Sequence, residues 1–149
     1  MWPLRSHSEE GTIFRDAHRS PDVLAILESS RDQTTVAEFA TNSHWDLTVV
    51  PTLDQGFLLA AEKIVAIILL DRELAGSEWR STVHRFAQHQ PKPCIILASS
   101  VMDPYLFDEF VRQGGYDVVA KPLQADELRR IGHLAFTFWK NRRAGKWTR

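Results

Sequence analysis

One cysteine, Cys94, stands among 149 residues, so no internal disulfide can form. It lies inside an apolar run, which fits a packed thiol in a reducing cytosol better than a reactive one. Long apolar runs are missing as well. The longest, Ile64–Leu70, falls far short of the ~20 residues that a membrane-spanning helix needs. The first twenty residues carry Arg5, Glu9, Glu10, Arg15, Asp16 and Arg19 without a sustained apolar segment, so they do not read as a signal peptide. A net charge of −1 gives the whole chain no attraction for a polyanion. The closest histidines, His84 and His89, are five apart, where a helical zinc pair needs a spacing of three or four. No repeat and no low-complexity segment is present. The expectation is a single cytoplasmic domain with no disulfide, zinc or membrane span.

What is present is a set of short apolar runs, each stopped by one polar residue. Val23–Leu27 ends at Glu28, Ile64–Leu70 at Asp71, Cys94–Ala98 at Ser99, and Val118–Ala120 at Lys121, which Pro122 follows. Such runs, rich in Ile and Val, read as buried parallel strands. Strands are expected at about 23–27, 46–50, 65–70, 93–98 and 117–120. Helices are expected between them at about 31–44, 53–63, 77–88, 104–113 and 125–141.

The helix starts are signed. Ser30-x-x-Gln33 and Thr52-x-x-Gln55 have capping-box spacing, and Asp103-Pro104 places a cap before a first-turn proline. Gly114-Gly115 stops that helix. Strand–helix alternation predicts a (βα)5 flavodoxin-like three-layer α/β sandwich with parallel sheet order 2-1-3-4-5. The domain is expected over residues 21–141, behind an extension at 1–20 and before a basic tail at 142–149.

In such a sheet all carboxyl ends lie on one edge, where ligands bind. Two acids, a hydroxyl and an ammonium therefore converge there. A carboxylate attacks a phosphoryl donor when a divalent cation neutralises the transferring oxygens, and magnesium takes carboxylate ligands for that work. Asp71 is the nucleophile in this scheme and Glu28 the metal-side acid. Ser99 and Lys121 would hold the charge on the acyl phosphate.

From Asp22 to Lys140 the chain resembles the receiver domains of phosphorelay response regulators. The resemblance places the acidic pair at Glu28-Ser29, the phosphoacceptor at Asp71, the switch hydroxyl at Ser99 and the Lys-Pro pair at Lys121-Pro122. It implies a signalling protein rather than an enzyme, magnesium as cofactor, and a histidine kinase or phosphotransfer protein as phosphoryl donor. It also implies a downstream protein target that docks on the fourth helix, fifth strand and fifth helix. Ser29 replaces an acid of that pattern, so magnesium is expected to bind weakly. Glu73, two residues after Asp71, would reach the metal by its backbone or restore part of the missing charge with its carboxylate. Ala75 and Trp79 stand where the pattern has proline and glycine, and Val118 where it often has an aromatic ring.

Other readings compete. A pseudo-receiver would keep the fold and the docking face without phosphate. Flavin mononucleotide suits the layout, but the hydroxyl-rich turn at 28–35 lacks glycine for close backbone approach and starts with an acid. Lys140, Arg142, Arg143, Lys146 and Arg149, beside Trp139 and Trp147, could meet nucleic acid, yet cations at a helix C-terminus also complement its dipole. On the last helix, apolar residues from Leu128 to Trp139 span an arc of roughly 200° once Phe136 is counted, against the ~100° a surface helix needs. That surplus suggests a homodimer or partner face, with packing against residues 1–20 as the alternative.

Overall fold

The computed structural model describes residues 21–145. Five parallel strands, β1 (Asp22–Ile26), β2 (Asp46–Val50), β3 (Ile67–Asp71), β4 (Cys94–Ser99) and β5 (Asp117–Ala120), form one sheet in the order β2-β1-β3-β4-β5. The helices are α1 (Ser30–Ser43), α2 (Leu53–Glu62), α3 (Trp79–Ala87), α4 (Pro104–Arg112) and α5 (Ala125–Arg143). The predicted (βα)5 sandwich and strand order are those observed. The expectation for residues 1–20 lies outside the described residues. Arg142 and Arg143, assigned to the tail, continue α5. Among the described residues no helix is long and apolar enough to cross a membrane.

Successive strand residues point to opposite faces of the sheet. Ile67 and Leu69 pack with Val36, Phe39, Leu128 and Ile131 of α1 and α5. Ile68 and Leu70 pack with Trp79, Val83, Phe86 and Phe110 of α3 and α4. Cover on both faces explains why the strands read as continuous apolar runs rather than alternating ones. Cys94 is buried as expected, its Sγ 3.4 Å from the Ala135 carbonyl.

Three local expectations change. Ser29, not Ser30, caps α1: its Oγ accepts the Asp32 N–H at 3.3 Å. Gln33 does not close a capping box but donates from Nε2 to the Leu27 carbonyl at 2.7 Å, tying the helix to the strand before it. Residues 72–76, left between elements by the sequence, and Ser77 and Glu78, expected to open the third helix, form a one-turn helix (Arg72–Ala75) and a 3-10 turn (Gly76–Glu78) leading into α3. By contrast Thr52 and Asp103 cap α2 and α4 as anticipated, and Gly114 adopts φ 105° just past the end of α4. That conformation is one that a side chain resists.

The wide apolar arc of α5 is also resolved. Leu128, Ile131, Ala135, Phe138 and Trp139 are buried, and Phe136 is half-buried against the same core. Lys140 Nζ lies 4.7 Å from the centre of the Phe136 ring, and the Arg143 guanidinium 4.7 Å from that of Trp139. After α1 ends at left-handed His44, Trp45 packs edge-on to Phe39 and against Gly132, where a Cβ would collide with the indole. Of the surplus expected to face a second copy or a partner, Trp139 is buried and Phe136 half-buried, and Leu134 is the large apolar residue of α5 left exposed, at 47%.

Candidate functional site at the strand ends

Asp71 is the last residue of β3, and its backbone pairs in register with Ala98 of β4. It is 3% exposed. Its Oδ1 accepts the N–H groups of Glu73 at 2.9 Å and Leu74 at 3.1 Å, so the carboxylate caps the turn that follows. Lys121, one residue beyond β5, reaches back across the edge. Its Nζ is 2.9 Å from Asp71 Oδ1 and 3.0 Å from Oδ2. The same ammonium lies 2.9 Å from Glu73 Oε1.

Glu73 is held further. Oε1 accepts the Ser100 N–H at 3.2 Å, and Oε2 meets Arg72 Nη1 at 3.2 Å. Partial burial pushes the Glu73 carboxyl up, but the Lys121 ammonium and the Ser100 N–H outweigh it and hold the group below its ordinary 4.5. Burial pulls Lys121 down, and its two carboxylate partners outweigh that, so it stays charged above its ordinary 10.5. Asp71, Glu73 and Lys121 form one ionic cluster with a formal charge of −1.

Ser99 ends β4 and pairs with Ala120 of β5, so its placement at the edge is as expected. Its hydroxyl is fully buried and turned to its own loop, donating to the Val101 carbonyl at 2.7 Å and accepting the Val101 N–H at 3.1 Å. Glu28 follows β1 at the same edge but is exposed and bonded to no described residue.

The donor set for magnesium is tested by this geometry. Among the described residues no group of three or more His, Cys, Asp or Glu side chains comes together that could hold a metal. Asp71 and Glu73 share an ammonium instead, and Ser29 offers a hydroxyl already used as a helix cap. As placed, Asp71 and Glu73 are both held by Lys121 and Glu28 does not join them, a poor donor set for magnesium.

Asp32 was missed by the sequence reading. It is 2% exposed on the first turn of α1, and its Oδ1 accepts the Leu123 N–H at 2.9 Å. It thereby fastens the Lys121–Pro122–Leu123 segment, whose Lys121–Pro122 peptide is cis, to α1. The available signal was an acid at the third helical position directly behind a strand end.

No family model matches the sequence, and no curated protein matches it. Solved structures do resemble the fold. Over 84% of this chain it is similar to NtrX from Brucella abortus, crystallised with ADP, at TM-score 0.74 and 18% identity. The match spans 28% of NtrX. A response regulator from Thermotoga maritima gives TM-score 0.73 at 18% identity, over 79% of this chain and 98% of the other. The signal receiver domain of an HD domain-containing protein from Pseudomonas fluorescens gives 0.73 at 18% identity, over 83% and 99%. The chain therefore has the fold of response-regulator receiver domains.

Proposed function

We propose that this chain is a receiver-type signalling module whose output is docking to another protein, and that it works without metal-dependent phosphoryl transfer. One observation carries the reading: Lys121 Nζ bridges Asp71 and Glu73 at 2.9–3.0 Å, and Glu28 does not join them to hold a divalent ion. Transfer to a carboxylate needs that ion to neutralise the phosphoryl oxygens. An ammonium already bound to both acceptor oxygens supplies charge but no open coordination position. The docking surface has candidates next to the cluster, since Val101, Met102, Tyr105 and Phe107 are exposed at the start of α4, with Tyr105 at 83%.

A second reading keeps Asp71 as phosphoacceptor, with a histidine kinase or phosphotransfer protein as donor and magnesium recruited weakly by Glu28, Asp71 and Glu73. It is favoured by an asymmetry in the carboxylate. Oδ1 accepts from two backbone N–H groups and Lys121, while Oδ2 accepts from Lys121 alone and is the oxygen freer to attack. Intact mass after acetyl phosphate and magnesium separates the two. The docking reading expects no added phosphoryl group. An addition that disappears in Asp71→Asn would install the second reading in its place.

A further inference from the structure

A loop glutamate ordinarily faces water. Glu73 does not. Its Oε1 takes the Lys121 ammonium at 2.9 Å and the Ser100 backbone N–H at 3.2 Å, joining the segments that follow β3, β4 and β5. An ammonium and a backbone N–H converging on one anionic oxygen is an arrangement that binds oxyanions. We propose that Glu73 is a resident anion: its carboxylate fills an oxyanion site made by Lys121 Nζ and the Ser100 N–H, a site whose donors suit a sulfate or phosphate oxygen. The loop it holds is the one that carries Val101 and Met102.

That loop is pinned from both sides. Ser99 closes a local turn onto Val101, and Glu73 anchors Ser100 between them. With the anion built in, the apolar start of α4 keeps one arrangement with no group added to Asp71. The inference rests on the docking reading and deepens it, supplying the device that would replace a phosphoryl signal. Removing both acids should unmask the site, because it frees Lys121 and the Ser100 N–H together and also removes the repulsion Asp71 exerts on an incoming anion.

The test is the Ser100 amide signal in the two-dimensional nitrogen–proton NMR spectrum of the full chain, titrated with sodium sulfate and with sodium chloride at matched ionic strength. In the wild type sulfate should leave Ser100 where chloride leaves it. In Asp71→Asn/Glu73→Ala it should shift Ser100 saturably, and adding Lys121→Gln should abolish the shift. A wild-type response equal to the variant's, or a double variant blind to sulfate, overturns the proposal. Glu73→Gln keeps the shape and removes the charge, so it decides the matter should the double variant fail to fold. Ser100 hydrogen exchange should then quicken about tenfold, since a bond to a charged acceptor is about twice as strong as a neutral one. Unchanged exchange would overturn the proposal. Neither readout depends on acetyl phosphate, so the two ideas fail separately.

Discussion

Asp32 and Leu123 are 91 positions apart in sequence and share one buried hydrogen bond of 2.9 Å. The acceptor sits on the first turn of α1 and the donor two residues after Lys121. This bond fixes where the chain goes once it has delivered the ammonium to Asp71. It makes α1, which contributes no residue to the ionic cluster, part of the cluster's support.

Asp32→Ala should therefore do double harm. Leaving the Leu123 N–H buried without an acceptor costs about 1–3 kcal/mol. Urea unfolding followed by tryptophan fluorescence should show the loss, and Asp32→Asn, which keeps a carbonyl acceptor, should recover part of it. The nitrogen–proton spectrum of Asp32→Ala should also move Lys121 more than residues at the far ends of the strands. A uniform shift pattern would remove the positioning role.

Stability should depend on pH at both ends through the same cluster. Glu73 titrates below its ordinary value when folded, so its contribution is full above about 4.5 and is lost as pH falls through the depressed folded value. Lys121 titrates above its ordinary value, so its contribution is full below about 10.5 and is lost as pH rises through the raised folded value. Melting temperature across pH should show a plateau between these limits. Glu73→Gln should flatten the acid limb relative to wild type and leave an alkaline one from Lys121. An identical acid limb in both proteins would mean that Glu73 contributes nothing there.

Magnesium should bind the wild type weakly, and Ser29→Asp should improve it. An aspartate keeps the helix cap that Ser29 provides and brings a carboxylate to the sheet edge beside Glu28. Calorimetry should detect affinity about tenfold tighter in the variant. Equal affinity would place any bound ion elsewhere.

Gly132→Ala should destabilise the fold by about 1–3 kcal/mol, because the new methyl group meets the indole of Trp45 and rigid rings yield poorly. Trp45→Leu in the same background should relieve most of that cost. Chemical denaturation of the single and double variants measures both, and additive losses would argue against the contact.

The fold was legible because the buried strands announce themselves as apolar runs and because α2 and α4 start at residues that cap, Thr52 and Asp103. Asp71, Ser99 and Lys121 were legible because a polar residue at the end of such a run has one edge to occupy. Glu73 was flagged as a source of charge, but its partner was not foreseen. A carboxylate two residues beyond a strand reads the same whether it meets a metal, an ammonium or water, and only the third dimension distinguishes them. Asp32 escaped notice for a related reason: acids are ordinary on a first helical turn, and nothing local marks one as the acceptor for a distant loop. The contact of Gly132 on α5 was not foreseen, because Trp45 belongs to a connection rather than to a helix or strand.

The evenness of the two cores has one more consequence. Along β3 the residues Ile67, Ile68, Leu69 and Leu70 are all buried and nearly equal in size. Shifting that strand by one position would swap its faces at little hydrophobic cost, so the apolar residues alone hardly specify alignment. What cannot slide is the charge. A one-step slip would carry Asp71 away from Lys121 or into the apolar interior, where an unpaired carboxylate is prohibitive. The ionic cluster is then also the ruler against which the central strands are measured, and substitutions there should be read first for misalignment of the sheet and only then for loss of the proposed function.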